Sequence, residues 1–229
     1  MNAAIILSGG VGSRLGTQIP KQYIEVGGRP IIDYCVSTFL NVSNIDIIII
    51  VAAKQWQEFI NNLVIKHASQ KTIVLAEAGQ TRQLSIFNGL RKIDEIKPDG
   101  VDIVIIHDAA RPMVSKELIT KCLKTCESAD GVLPVIPVKD TIYQSFDGKT
   151  ISKLLDRSTL YAGQAPEAFK FKKYLSTHRL ATKESLMATN GSSEIAFNSG
   201  MKISIIEGDI RNFKITDTED LEKFKLMVI

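Results

Sequence analysis

The feature that most constrains this chain is a succession of short β-branched apolar runs, each followed by a stretch with helical spacing. Ile45–Ala53 is the clearest, a run of isoleucine and valine broken by Asp46. Strands that are apolar without alternation are buried on both faces, as in parallel sheets sandwiched between helices. Ala3–Leu7, Thr72–Ala76 and Val101–Ile106 read the same way. Between them lie expected helices at Pro30–Leu40, with Pro30 in the first turn, at about Gln55–His67 and at Thr81–Ile93. A fourth, capped by Ser115, is expected to run to about Ser128. The pattern predicts an α/β class protein with a doubly wound, mostly parallel sheet. Such sheets bind ligands outside the carboxyl ends of their strands. Function is therefore expected in the segments Ser8–Gly16, Glu77–Ser85 and His107–Pro112.

After Gly131 the pattern changes. Gly131–Val138 reads as a strand, and Pro134 and Pro137 place it near an edge or make it irregular. Lys139–Leu155 carries a hairpin signal centred on Asp147-Gly148, long enough to project and pair with another subunit. Ile203–Ile206 and Phe213–Thr216 read as short late strands, and Asp217–Met227 as a closing helix.

Composition removes several classes. With 229 residues, 45% of them hydrophobic and 23% charged, the chain has the make-up of an ordinary globular protein. The 28 Lys and Arg nearly balance 25 Asp and Glu. No nucleic-acid surface is expected, although a local basic pocket for phosphates is compatible with this balance. No apolar run is long enough to span a bilayer, and no signal peptide is expected. Three cysteines, Cys35, Cys122 and Cys126, point to reduced thiols in a cytoplasmic protein. Cys122 and Cys126 are expected to pack in the core, and three scattered histidines leave too few ligands for zinc.

The first loop, Ser8-Gly-Gly-Val-Gly-Ser-Arg-Leu-Gly16, can turn backbone N–H groups toward one anion through Gly9, Gly10 and Gly12. Arg14 adds a guanidinium and Lys21 a point charge. The loop lacks the Gly-Lys-Ser/Thr ending of a Walker A motif. Gly10, Gly12 and Gly16 also miss the dinucleotide spacing by one residue. Asp108 at a strand end suits Mg²⁺, and Arg111 can neutralise a phosphate. His107 is either a general base or a structural hydrogen-bonding group. Gly79, Arg82 and Ser85 open a helix and can meet a base edge or an anion, against the competing reading of Thr81 as an ordinary N-cap. Lys214 gains a role only if the fold brings it to Arg14 and Lys21.

Taken in order, these segments resemble the sugar-alcohol phosphate cytidylyltransferases, which act on 2-C-methyl-D-erythritol 4-phosphate or ribitol 5-phosphate. The residues that carry the resemblance are Gly-Gly-Val-Gly-Ser-Arg-Leu-Gly, Pro-Lys-Gln, Gly-Gln-Thr-Arg-Gln-Leu-Ser-Ile, His-Asp-Ala-Ala-Arg-Pro, Val-Lys-Asp-Thr, Asp156-Arg157 and Asn-Phe-Lys-Ile-Thr. The resemblance implies a Rossmann-like nucleotidyltransferase fold over one domain, residues 1–229, with a β-arm at about 139–160 that forms a homodimer. It implies transfer of CMP from CTP to an alditol phosphate with Mg²⁺. Arg14, Lys21 and Lys214 would be catalytic. Ser8, Gly9, Gly10, Gly12, Gly79, Arg82, Ser85, Asp108 and Ala109 would join Arg14 and Lys21 in holding CTP, with Asp108 also on the metal. Arg111, Thr141, Arg157 and Lys214 would hold the acceptor, Thr141 and Arg157 in the partner's site.

Some residues depart from the family's pattern. Gln164-Ala-Pro-Glu-Ala-Phe169 stands where Gln-Thr-Pro-Gln-Phe is common, Asn190 where Asp follows Thr, and Arg211 precedes Asn212. The mixture leans toward ribitol 5-phosphate or a related alditol phosphate for a surface polymer. 2-C-methyl-D-erythritol 4-phosphate in isoprenoid synthesis is the alternative, and a non-catalytic CTP-binding regulatory module a further one.

Overall fold

The computed structural model of the chain describes residues 1–10, 19–67 and 71–228. The first half alternates strand and helix as the apolar pattern predicts. β1 is Asn2–Leu7, followed by a small ribbon of β2 (Glu25–Val26) and β3 (Arg29–Pro30). Then come α1 (Ile31–Leu40), β4 (Ile47–Ala52), α2 (Gln57–Ile65), β5 (Thr72–Glu77), α3 (Arg82–Ile96), β6 (Ile103–Asp108) and α4 (Lys116–Cys126). Thr81 and Ser115 cap α3 and α4 by accepting from the N–H of Leu84 and of Leu118. Pro30 ends β3 and is the N-cap of α1 rather than part of its first turn.

The second half holds β7 (Gly131–Pro137), β8 (Tyr143–Gln144), β9 (Lys153–Leu154), β10 (Tyr161–Gly163) and β11 (Glu167–Lys170). These lead into α5 (Phe171–Leu180), α6 (Lys183–Ala188), α7 (Ser192–Asn198), β12 (Ile203–Glu207) and α8 (Thr218–Val228). The main sheet runs β10-β7-β11-β6-β1-β4-β5, with β12 on the other side of β7. β6, β1, β4 and β5 are parallel, whereas β10 and β11 run antiparallel to their neighbours. From β1 the chain builds outward to β4 and β5 and then returns to the opposite side of β1 with β6. That reversal makes the β1/β6 boundary a topological switch point.

Alternate residues of the central strands face opposite cores. Ala4, Ile6, Ile48 and Ile50 pack toward α1, α2 and α4, while Ala3, Ile5, Ile47 and Ile49 pack toward α3 and α5. Both faces are covered, which explains the absence of polar alternation in these runs. All three cysteines are buried and unbridged, and burial pushes the Cys122 and Cys126 thiols up to about 12 and about 11.

Three expectations need correction. β7 is an interior strand, with β12 on one side and β11 and β10 on the other. Its Pro134 sits where the neighbouring strand breaks between β10 and β11, so the missing N–H interrupts no ladder there; its carbonyl accepts from the Gln164 N–H. Phe213–Thr216 is a loop, tied to the sheet by the Ile215 N–H donating to the Ala110 carbonyl. The arm pairs Tyr143-Gln144 with Lys153-Leu154 but closes through a wide loop, not a two-residue Asp-Gly turn. In that loop the Asp147 carboxylate accepts from the Lys149 and Thr150 N–H groups, while Gly148 takes a positive φ of 67°.

Gly131 is fixed by packing. A Cβ there would lie 2.7 Å from both Ile203 and Phe169, and Phe169 is fully buried against Tyr174. Gly131→Ala is expected to lower unfolding free energy by about 1–3 kcal/mol through overpacking, read as a lower urea midpoint at unchanged slope.

Candidate active site

The carboxyl ends of β1, β5 and β6 open into one cleft of about 510 Å³. Gly9 and Gly10, Lys21, Gly79, Arg82, Ser85, Asp108 and Lys214 all line it. Five separate stretches of the sequence thus converge on one space at the switch point. Gly12 and Arg14 lie outside the described residues.

The first loop is anchored from behind. Gln22 Nε2 donates to the carbonyls of Ser8 and Gly10 at 2.7 and 2.8 Å. Ser8 Oγ donates to the Tyr23 hydroxyl, which donates back to the Ser8 carbonyl. The Ser8 side chain is therefore turned into the core and away from the cleft. Tyr23 is itself stacked on Trp56 at 4.4 Å. Gly9 is required by close approach, because a Cβ would come within 2.5 Å of Ala78 Cβ. The loops after β1 and β5 therefore share a wall.

The second loop is built around Ser85. Its hydroxyl accepts from the Gly79 N–H at 3.0 Å and donates to the Thr81 carbonyl at 2.9 Å. A side chain at Gly79 would strike Leu84, again at 2.5 Å. Capping by Thr81 and a cleft-lining Gly79 and Ser85 are thus compatible, and the two readings of this segment do not exclude each other.

Asp108 is the electrostatic centre. Its Oδ1 accepts from Arg82 at 3.1 Å, and its Oδ2 lies 3.0 Å from Lys214 Nζ and 3.9 Å from Arg111 Nε. Burial alone would raise the carboxyl pKa, but Arg82, Lys214 and Arg111 more than offset it and hold the group well below the usual carboxylate range. Arg111 also donates to the Asn212 carbonyl at 2.8 Å, joining the loop before Lys214 to the end of β6. Lys214 and Lys21 line one cleft, while Arg14, the other half of the expected convergence, lies outside the described residues.

The remaining residues fall elsewhere. Ala109 is fully buried, and its N–H donates to the Leu7 carbonyl. Thr141 and Arg157 are exposed and do not line the cleft; Arg157 donates to the Lys139 carbonyl at 2.7 Å. His107 has no solvent exposure, and its Nε2–H donates to the Arg111 carbonyl at 3.0 Å. That bond gives His107 the structural role. Among the described residues no three His, Cys, Asp or Glu side chains gather as a metal cage, and no helix is long and apolar enough to cross a membrane.

This geometry can be set beside known proteins. Residues 2–228 match the 2-C-methyl-D-erythritol 4-phosphate cytidylyltransferase (IspD) family. The chain belongs to this family. Its relatives include a ribitol-5-phosphate cytidylyltransferase of Streptococcus agalactiae, 32% identical over 99% of this chain and 95% of that protein. A 2-C-methyl-D-erythritol 4-phosphate cytidylyltransferase of Clostridium acetobutylicum is 36% identical over 96% of this chain and 94% of that protein. Among solved structures, 4-diphosphocytidyl-2C-methyl-D-erythritol synthase of Anaerococcus prevotii superposes with a TM-score of 0.85 at 28% identity, covering 99% of this chain and 95% of that one. The chain is accordingly a cytidylyltransferase of the IspD family, a nucleotidyltransferase with the mixed α/β fold of that group.

Sequence reasoning missed several groups at or behind the cleft. Gln22 and Thr216 line it, Gln22 also bracing the first loop. Glu167 and Ser192, both buried, lie behind Arg82. Gln22 stands within the quoted Pro-Lys-Gln motif, which was the available signal. Glu167 and Ser192 carried none beyond the Glu at a position where the family's pattern has Gln.

Two histidines give the fold a pH dependence. Burial is the main cause that lowers both His107 and His178 from the usual 6.5 to about 4. At pH 5 the unfolded chain binds protons at these sites and the folded chain does not, so acid favours unfolding. Stability is expected to be fully present above about pH 6.5 and to fall steadily toward pH 4, read as a falling thermal midpoint across that range.

Proposed function

We propose that the protein transfers CMP from CTP to ribitol 5-phosphate or a closely related alditol phosphate, releasing pyrophosphate. The observation that carries this reading is the convergence of Lys21, Asp108 and Lys214 on a cleft walled by Gly9, Gly10 and Gly79, with Arg111 packed beside Asp108 and outside the lining. The acceptor's phosphate oxygen attacks the α-phosphorus of CTP, a new P–O bond forms, and the bond to pyrophosphate breaks. A phosphate monoester is already an anionic nucleophile, so the barrier lies in bringing two polyanions together. Fixed cations answer that need by positioning and charge stabilisation. Lys21 is assigned to the triphosphate side with Gly9 and Gly10, and with Gly12 and Arg14 of the same loop. Gly79 and Ser85 are assigned to the cytosine. Lys214 and Arg111 are assigned to the acceptor phosphate.

Asp108 is the carboxylate assigned to Mg²⁺, an ion that takes one or two carboxylates and completes its shell with substrate phosphates and water. Arg82 already holds its Oδ1 and Lys214 its Oδ2, so as arranged neither oxygen of this carboxylate is free for the ion, and no step is routed through it.

The arm is assigned to a homodimer. It exposes Tyr143 and Leu154 on its strands and Ile151 in the loop between them, at 56%, 60% and 68%. A hairpin with two paired residues per strand is marginal alone, and a second copy of the chain would cover its apolar side chains. Thr141 and Arg157 would then complete the partner's acceptor subsite. The whole chain acts as one cytidylyltransferase domain in this reading, and its three buried reduced thiols fit a cytoplasmic setting.

The acceptor preference rests on the Ser8-Gly9-Gly10 opening and on Ala165 and Asn190, where a hydroxyl and a charge common in the family are missing. The His-Asp-Ala-Ala-Arg-Pro segment favours the second reading, 2-C-methyl-D-erythritol 4-phosphate as acceptor.

Pyrophosphate release with CTP, Mg²⁺ and a panel of alditol phosphates tests both. Turnover fastest with ribitol 5-phosphate supports the first reading, and turnover fastest with methylerythritol phosphate replaces it with the second. CTP binding without turnover on any acceptor would mean either an alditol phosphate outside the panel or a regulatory module. In the same assay Lys21→Ala is expected to lose about 10²–10³ in turnover while unfolding at the wild-type temperature.

A further inference from the structure

Arg82 reaches the cleft from the first turn of α3, yet its guanidinium is engaged by the protein itself. Nε and Nη2 both donate to Asp108 Oδ1, at 3.2 and 3.1 Å. Nη1 donates to Ser192 Oγ, and Nη2 lies 3.6 Å from Glu167 Oε1. Glu167 is 7% exposed, and its other carboxylate oxygen accepts from the Ser193 hydroxyl. One arginine thus joins the ends of β6, β11 and α7. The α7 end of this link is itself held, because Gln83 Nε2 donates to the Gly191 carbonyl at 2.6 Å and the Tyr174 hydroxyl donates to the Ser192 carbonyl at 3.1 Å. To grip a phosphate, Arg82 would have to abandon these bonds.

We infer that Glu167 is a positioning residue for nucleotidyl transfer: it holds Arg82 on Asp108 Oδ1, which leaves Oδ2 to orient Lys214 toward the acceptor phosphate. The inference rests on the assignment of Lys214 to the acceptor. With two buried carboxylates beside it, the guanidinium is divided between them and takes one oxygen of Asp108. With Glu167 neutral, Asp108 is its sole counter-ion, and the favoured geometry becomes the bidentate one that takes both oxygens. Arg82 then competes with Lys214 for Oδ2. The acceptor side is disturbed, whereas the nucleotide side is shaped by Gly9, Gly79 and Ser85 through backbone contacts that do not involve Glu167.

Two variants separate charge from packing. Glu167→Gln keeps the volume and an oxygen that accepts from Ser193, and loses only the charge. Ser193→Ala keeps the charge and loses the hydroxyl. The readouts are acceptor KM and kcat from pyrophosphate release, and CTP affinity by calorimetry. Glu167→Gln is expected to raise acceptor KM at least fivefold with CTP affinity within twofold of wild type, and Ser193→Ala to leave both within twofold. An unchanged acceptor KM in Glu167→Gln overturns the inference. So does an equal loss of CTP affinity, or a Ser193→Ala defect as large as that of Glu167→Gln. Wild-type enzyme run in parallel keeps the two proposals apart. Wild-type turnover with unaltered Glu167→Gln kinetics overturns the positioning role alone. Absent wild-type turnover overturns the acceptor reading and this inference with it.

Discussion

A buried carboxylate must be compensated, and Asp108 draws the compensation from its own turn and from two distant parts of the chain. Arg82 comes from the start of α3, Arg111 from the turn after β6 and Lys214 from the loop before α8. Removing one partner of a buried ion pair typically costs about 3–5 kcal/mol, because the remaining charge stays desolvated. The same requirement that stabilises the fold therefore gathers cations at the carboxyl end of the sheet. Stability and a cation-lined cleft arise from one arrangement.

The parallel half of the fold was legible because its strands are buried on both faces. Continuous Ile and Val runs at β1, β4 and β6 have no competing interpretation when helical stretches separate them. The functional loops followed from their position after those strands. Asp108 was visible for this reason as a strand-end carboxylate, and it is the last residue of β6. Thr81 and Ser115 were legible as caps because a hydroxyl one residue before an amphipathic stretch has a local purpose.

The rest depended on contacts that no local pattern encodes. β10, β11, α6 and α7 are three to seven residues long, too short for a period to emerge. Glu167 and Ser192 belong to that region, and each meets Arg82 from across a long span of sequence. Pro134 misled in the opposite direction. Proline within a strand ordinarily argues for an edge, but β7 tolerates it where its neighbour is interrupted. The local sequence around Lys214 could not place it, because its position depends on the Arg111–Asn212 bond that ties its loop to β6.

The tip of the arm carries its own internal scaffold. The Asp147 carboxylate collects the N–H groups of Lys149 and Thr150 and the hydroxyls of Ser145 and Thr150, with Gly148 supplying the left-handed turn. A loop organised by its own side chains does not wait for a neighbour to give it shape. Whatever surface the arm meets, docking begins from a preformed key, so little ordering entropy remains to oppose association. Affinity is then governed by the shape and apolar area of the arm rather than by folding upon contact.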